Sequence, residues 1–521
     1  MEPALTLHPA ADRPGRLEFS GSPEAELFSR EVAESLAGVL RENLILQRTP
    51  DGYPPGFVRA SVPPRPWWDT MWTRDAGTFL RELVGWGYFE HAALVARCLI
   101  ESVAQNAQGF CAFPEKLYPG KPEAGEEIDG TAAIVIGLVH LWRHLPTAHP
   151  FRATLRDFLH RPSSPVRYLL HQARVQGLIA GTGEFGPGCS VDGHYCSCVQ
   201  NNLAMLALLA AAEMEAAAGE PALANDYRAM ACGLSEKMLA TMLYPDGSWM
   251  WGVRPEDHRP DRRILDEPVN RGTGLHNGVA SMYADVLGLD PVGAGWPLAG
   301  PCWKTFERLL AAPLRRAQFE RHGFWPQWDP PFRGGLSSGP SYGEGYALQT
   351  MLLYDRLDLA DRALRWLARA THEATPQPFN ALNRTSPYHF YERTYSPDAP
   401  GRVDFEEGCG ALNLVNVTEP LKVARLILGV DLAALDEVRI APRLPACVSR
   451  IVADRWPLLD PKAGVVTADI GIQRQADGTL AFHLRMRDGA RLSRLSLRHR
   501  RNGKSSIELH HDVVELKVTL G

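Results

Sequence analysis

Apolar residues recur every three to four positions along most of the first 430 residues, a spacing typical of amphipathic α-helices. Leu138, Leu141 and Leu145 share one such stripe, and the alanine-rich run over 203–218 carries another. The pattern predicts helices over residues 24–43, 75–87, 89–107, 129–145, 150–177, 197–218, 222–242, 276–288, 302–316, 342–355, 358–372 and 410–428.

The pattern changes after about residue 436, where apolar and polar residues alternate and β-branched residues become frequent. The segments over 465–473, 479–487, 492–499 and 507–520 show it, and Asp477-Gly478 marks a turn between two of them. We therefore predict a helical domain over 1–435, followed by a small antiparallel, β-sandwich-like domain over 436–521.

The links between the predicted helices alternate in length. Most links that follow an even-numbered helix are short, whereas most that precede one are long and rich in Gly, Pro, Trp and acidic residues. In a succession of antiparallel helices, alternate links emerge at the same end, and long loops in a compact domain are usually functional. Twelve helices in six hairpins predict a mainly α fold, an (α/α)6 toroid with the long loops around one mouth.

Composition narrows the function classes. With 55 Lys and Arg against 60 Asp and Glu, the net charge of −5 gives no electrostatic case for nucleic acid or an acidic membrane as partner. The N-terminal segment has no apolar core of a secretory signal, and no run of 18 apolar residues occurs, so we expect a cytoplasmic chain with reduced cysteines.

A zinc site is weakly indicated by Cys189, His194, Cys196 and Cys198, because the C-x-C spacing lacks the usual C-x₂-C pairs. We interpret His194 instead as a pocket-lining residue. No metal and no organic cofactor is expected.

The segment Trp67–Gly77, WWDTMWTRDAG, is the most informative stretch of the chain. Indole rings stack on the apolar face of a sugar ring, while guanidinium and carboxylate groups bind its hydroxyls. An aromatic turn of the core with an Arg–Asp pair on the surface would have the same composition. The predicted sugar-binding residues of this first long loop are Trp67, Trp68, Asp69, Trp72, Arg74 and Asp75.

Glycoside cleavage needs two carboxyl groups, one protonated and one ionised, on either side of the scissile bond. Glu184, in GTGEFGPG before the sixth helix, suits a general acid, and Glu392, in YHFYERTYSP on the last long loop, suits a base. Glu407, at the start of the twelfth helix, is an alternative base. Each could equally be a solvated, ion-paired or helix-capping glutamate.

Polar residues also precede other even-numbered helices. Glu127 and Asp129 precede the fourth helix, where Asp129 could be a plain N-cap, and Tyr342 and Glu344 start the tenth. With Tyr391 beside Glu392, these residues complete the candidate substrate-binding set.

The order WTRD, PEK…EEIDGT, HYCSCVQNNLA and YERTYSP, over roughly residues 50 to 430, resembles the glucoamylase family and its six-hairpin relatives, which include trehalases and processing α-glucosidases. The resemblance implies that Arg74 and Asp75 hold the terminal sugar, that Glu184 is the general acid and that Glu392 activates water. It also implies substrate contact by Glu127, Asp129 and Gly130, although Glu127 stands where the family has glutamine and the acid loop lacks the family's tryptophan and second glutamate.

Taken together, these features predict an exo-acting, inverting glycoside hydrolase that removes an α-glucosyl unit from an oligosaccharide or small glycoside. A phosphorylase or an epimerase on the same toroid, or a non-catalytic sugar-binding protein, are the alternatives. An inverting pair should lie roughly 6.5–9.5 Å apart.

Overall fold

A computed structural model describes residues 7–8, 12–61, 69–181, 195–260, 283–291, 295–311, 316, 319–320, 336–338, 342–373, 393–395, 414–501 and 504–520. Its helices are α1 Pro23–Glu42, α2 Thr73–Gly85, α3 Phe89–Ser102, α4 Ile128–His144, α5 Pro150–His160, α6 Pro165–Gln176, α7 Cys198–Ala217, α8 Pro221–Thr241, α9 Ala299–Ala311, α10 Tyr342–Leu353, α11 Leu357–Glu373 and α12 Leu414–Leu428. A further helical segment covers 283–287.

Two predicted helices are wrong in their extent. The helix expected over 150–177 is two helices, because α5 ends at His160 and Ser164 starts α6 by accepting a hydrogen bond from the Arg167 amide at 3.2 Å. Pro165 occupies the first helical position, where it has no amide hydrogen to lose. The helix expected over 89–107 ends at Ser102, where the backbone becomes extended.

The C-terminal part is β structure whose strands pair antiparallel, as its alternating pattern predicts, except that residues 438–440 pair parallel with residues 495–497. Two sheets are present, one with the strand order β1-β9-β10-β11-β14 and one with β13-β12-β8. The strands are β1 Arg16–Ser20, β8 Val438–Ile440, β9 Arg450–Asp460, β10 Gly464–Arg474, β11 Leu480–Met486, β12 Leu492–Arg501, β13 Lys504–Val513 and β14 Glu515–Leu520.

The strand β1 was not predicted from the sequence. It lies directly before α1, yet it pairs antiparallel with β9, so that Phe19 faces Ile451 across the ladder. This pairing brings the N-terminal part of the chain to the edge of the C-terminal sheet.

Three two-stranded ribbons join long loops to one another. They are formed by β2 Met71–Trp72 with β3 Lys116–Leu117, β4 Cys196–Ser197 with β5 Gly252–Val253, and β6 Leu336–Ser338 with β7 Arg393–Tyr395. The first ribbon pairs the loop before α2 with the loop before α4, and the third pairs the loops before α10 and α12. The starts of the paired helices therefore lie at the same end, as the alternation of link lengths predicts.

The helices that follow these loops pack on one another. Helix α2 contacts α4 and α12, α4 contacts α7, and α10 contacts α12. Close approach of α2 to α4 depends on Gly77, because a Cβ there would lie 2.6 Å from the Ala133 carbonyl carbon and the Ile134 nitrogen.

A cluster of buried charges, here called the central ion cluster, lies between α2, the segment 283–287 and α12. Asp285 Oδ2 accepts from Arg81 Nη1 at 2.7 Å and from Lys422 Nζ, and Asp285 Oδ1 accepts from Arg425 Nη2 at 3.0 Å. Arg425 also contacts Glu82 at 2.8 Å. All five side chains are about 1% exposed, so this cluster ties three distant stretches of chain together.

Candidate active site

The first long loop leads directly into the start of α2. Trp72 ends strand β2, is half-buried and precedes the first helical residue, Thr73. The ammonium group of Lys116, from the partner strand β3, lies 4.2 Å from the Trp72 ring centroid, and the Arg74 guanidinium lies 5.8 Å from it. Two cations, one from the ribbon and one from α2, thus lie within about 6 Å of one indole ring, the range of a cation–π contact.

Arg74 and Asp75 follow in the first turn of α2. Arg74 Nε lies 3.5 Å from Asp75 Oδ1, and the two residues are only 6% and 7% exposed. This burial excludes the interpretation of the pair as a solvent-exposed surface contact. The position in the first turn favours the negative charge of Asp75.

The start of α4 lies against the start of α2. Glu127 is the N-cap residue of α4 without a side-chain capping bond, and Asp129 lies two residues further on, so the interpretation of Asp129 as the N-cap is wrong. Both residues are buried. Glu127 Oε2 contacts Thr73 Oγ1 at 2.9 Å, and Glu127 Oε1 lies 3.8 Å from Arg74 Nη1.

Local electrostatics set the ionisation of Glu127. Burial raises the pKa of its carboxyl group well above the usual value, and the neighbouring Asp129 raises it further, whereas Arg74 opposes the shift. A carboxyl group that keeps its proton to higher pH can donate a hydrogen bond as well as accept one.

The cluster formed by Trp72, Arg74, Asp75, Glu127 and Asp129 is here called the α2–α4 site. The structure brings these five predicted residues together from two loops more than 50 residues apart. Asp69 lies nearby in the chain but is exposed, and its Oδ1 accepts from Thr70 Oγ1 at 3.2 Å.

Two residues of this site were missed in the sequence. Thr73 lies within the quoted WTRD motif and Lys116 within PEK, yet neither side chain was assigned a role. The threonine contact depends on the packing of α2 on α4 and the lysine contact on the pairing of β2 with β3, which no local pattern specifies.

The other candidate residues cannot be placed in this cluster. Tyr342 and Glu344 lie in the first turn of α10, of which only the backbone is described. The remaining candidates lie outside the described residues, namely Trp67, Trp68, Glu184, His194, Tyr391, Glu392 and Glu407.

The cysteines next to the third loop are buried. Cys196 Sγ contacts the Leu178 carbonyl at 3.4 Å, and burial raises the pKa of the Cys196 thiol to about 12. Within the described ranges, no group of three or more His, Cys, Asp or Glu residues is arranged to hold a metal ion, and Cys189 and His194 lie outside those ranges. Among the helices that the structure describes, none is long and apolar enough to span a bilayer.

Comparison with known proteins gives matches in fold only. No protein-family model and no curated protein matches this sequence. A GH78 family rhamnosidase of Bacillus sp. GL1 matches with a TM-score of 0.58 at 15% identity, covering 95% of this chain and 43% of the rhamnosidase. An α-L-rhamnosidase from Dictyoglumus thermophilum matches with a TM-score of 0.56 at 12% identity, over 94% of this chain and 45% of that enzyme.

A protein from the human microbiome, described as a kojibiose phosphorylase, matches with a TM-score of 0.50 at 8% identity, over 98% of this chain and 67% of that protein. This chain therefore spans less than half the length of the two rhamnosidases. At these identities the likeness is one of fold, and it agrees with the six-hairpin resemblance of the sequence.

Proposed function

We propose that this chain is a carbohydrate-active enzyme that binds a terminal sugar at the α2–α4 site. The observation that carries the proposal is the convergence of a half-buried indole ring, a buried Arg–Asp pair and two buried carboxyl groups at the loop end of two packed helices. Aromatic faces next to fixed polar groups are the surfaces that bind sugars. The rhamnosidase fold of the two matching enzymes supports the same substrate class.

We also propose that the helical part forms an (α/α)6 toroid, with α2, α4, α7, α10 and α12 in its inner ring. The packing of α2 on α4 and α12, of α4 on α7 and of α10 on α12 supports this arrangement. The chain would divide near residue 435 into this toroid and a β domain, to which β1 is added as an edge strand.

The proposed reaction is exo-acting hydrolysis with inversion, and the proposed substrate is an α-glucoside. Glu184 would protonate the leaving oxygen, and Glu392, or Glu407 in its place, would take the proton of the attacking water. Arg74 and Asp75 would hold the terminal sugar. The residues that would complete its pocket are Trp67, Trp68, Asp69, Trp72, Glu127, Asp129, His194, Tyr342, Glu344 and Tyr391.

A panel of aryl α-glucosides, aryl α-rhamnosides and α-linked disaccharides tests the reaction. We expect turnover by the wild-type protein, product of inverted anomeric configuration by NMR, and loss of turnover in Glu184→Gln. Glu392→Gln and Glu407→Gln identify the base, and the exposed Glu126→Gln is the matched control. Equal rates for Glu184→Gln and wild type would contradict the role of Glu184.

Binding at the α2–α4 site has a separate test. Arg74→Lys keeps the charge but loses the planar fork of donors, and we expect kcat/KM to fall about 10- to 100-fold, as for the loss of a charged hydrogen bond. Arg41→Lys, on the exposed end of α1, is the control. An unchanged kcat/KM in Arg74→Lys would place the sugar elsewhere.

A sugar phosphorylase is the second candidate, supported by the fold match over nearly the whole chain to the protein described as a kojibiose phosphorylase. Such an enzyme uses one carboxylic acid and takes phosphate as the nucleophile. Release of sugar 1-phosphate that depends on added phosphate would favour it, whereas phosphate-independent release of free sugar would favour the hydrolase.

A further inference from the structure

The hydroxyl group of Thr73 has more acceptors than it has protons. Its Oγ1 lies 2.7 Å from the Pro114 carbonyl oxygen and 2.9 Å from Glu127 Oε2. A carbonyl oxygen can only accept, and a hydroxyl group has one proton to donate. If Thr73 donates to Pro114, its contact with Glu127 is a hydrogen bond only when Glu127 Oε2 carries a proton.

The packing around this contact fixes the two groups. A Cβ on Gly130 would lie 2.2 Å from Glu127 Oε2 and 2.3 Å from Thr73 Oγ1, so only glycine leaves room for both. Glu127 is 2% exposed, and its Oε1 makes no hydrogen bond to any residue that the structure describes. One oxygen is therefore held by Thr73, and the other lies beside Arg74.

The charges that face Glu127 favour its neutral form on balance. Burial raises the pKa of Glu127 most, and the carboxyl group of Asp129, from α4, raises it further through its charge and a side-chain hydrogen bond, whereas Arg74 and the contact with Thr73, both from α2, lower it. Asp75 lies nearer to Arg74 Nε, at 3.5 Å, than Glu127 does to Arg74 Nη1, at 3.8 Å. The Arg74 charge thus has a counterion that is not Glu127.

We propose that Glu127 carries a proton on Oε2 at neutral pH, donates a hydrogen bond through it to Thr73 Oγ1, and belongs to the α2–α4 site as a neutral carboxylic acid. Thr73 is then a positioning residue, whose hydroxyl group donates its own hydrogen bond to the Pro114 carbonyl oxygen. Oε1 carries no proton and stays beside Arg74 Nη1, at 3.8 Å. Any contact of this neutral acid with a bound sugar rests on the proposed function, whereas its protonation does not.

Infrared difference spectroscopy at neutral pH tests the protonation without any substrate. We expect a carbonyl band of a protonated carboxyl group in wild type that is absent from Glu127→Gln and retained in the matched control Glu126→Gln. Other buried carboxyl groups are common to all three proteins and cancel in the difference. Identical spectra for wild type and Glu127→Gln would overturn the proposal, whether or not the protein turns over a glycoside.

The role of Thr73 is tested by following the same band as the pH is raised. Thr73→Val removes the acceptor for the Glu127 proton, so the band should disappear at lower pH than in wild type, and Thr73→Ser should restore the wild-type midpoint. Loss of the band at higher pH in Thr73→Val would show that Thr73 donates to an ionised Glu127 and would overturn the arrangement. Absence of glycoside turnover by the wild-type protein, with the band present, would count against the proposed function alone.

Discussion

Replacing Asp285 by asparagine removes the negative charge at the middle of the central ion cluster. Burial alone disfavours an ionised Asp285, but Lys422, Arg81 and Arg425 together hold its pKa well below the usual range. The carboxylate is therefore ionised whenever the protein is folded near neutral pH. In Asp285→Asn the three cations stay buried at about 1% exposure, and among the residues that the structure describes only Arg425 keeps a direct ion pair with a carboxylate, that of Glu82.

The expected cost follows from this geometry. Removing one partner of a buried ion pair costs about 3–5 kcal/mol, because the remaining charge is left without compensation. Asp285 serves three cations, so we expect the upper part of that range. A typical protein has only about 5–15 kcal/mol of stability, so such a loss should be obvious in an unfolding experiment.

Urea unfolding followed by tryptophan fluorescence measures the effect, and Asp226→Asn is the matched control. Asp226 contacts Arg174 Nη2 at 2.5 Å, but these side chains are 36% and 50% exposed. Exposed pairs contribute about 0–1 kcal/mol, so the control should unfold close to wild type. If Asp285→Asn lost no more stability than Asp226→Asn, the view of the cluster as a structural tie between α2, 283–287 and α12 would be refuted.

Three further predictions concern single substitutions. Gly77→Ala should destabilise the protein by about 1–3 kcal/mol, because the added Cβ would meet backbone atoms of α4. Gly233→Ala in α8, where an added Cβ has no other atom within 4 Å, should stabilise the protein by up to about 1 kcal/mol. Thermal melts of the two variants check that the effects have opposite signs. Burial raises the pKa of Glu419 to about 7, above the value of about 4.3 in the unfolded chain. The contribution of the protonated Glu419 to the free energy of unfolding is therefore complete below about pH 4.3 and is lost as the pH rises to 7. Glu419→Gln should flatten that decline by up to ~1.4 kcal/mol per pH unit, and an unchanged slope in urea unfolding between pH 5 and 7 would contradict it. Ser164→Ala removes the N-cap of α6 and should cost about 0.5–2 kcal/mol, whereas Ser164→Asp should not, as circular dichroism melts would show.

The sequence by itself determined the elements whose signals are local. The 3.6-residue spacing found α1, α2, α4, α7 and α8 to within two residues at each end, because each turn of an amphipathic helix repeats the signal. The alternation of apolar and polar residues predicted most C-terminal strands, because each pair of residues along a strand repeats that signal. The break before α6 also has a local signal, the N-cap Ser164 followed by Pro165. It was missed because the apolar periodicity continues on both sides of the break.

For the candidate site, the sequence determined which residue types lie at the helix starts but not which of them meet. Arg74, Asp75, Glu127 and Asp129 were all candidates, and the ribbon between β2 and β3 decides that they share one cluster. The role of Thr73 follows only from that contact, because a hydroxyl group has no function until its acceptors are known.

Only the tertiary structure decided the pairing of β1 with β9 and the composition of the central ion cluster. Asp285 lies 204 positions after Arg81 and 140 positions before Arg425 in the chain. No periodicity relates residues at such distances, and a charged residue inside a helix ordinarily indicates a solvent-exposed face. The packing of α2 against α12 and the segment 283–287 places these charges inside the protein. There the carboxylate of Asp285 compensates the positive charges of Arg81 and Arg425.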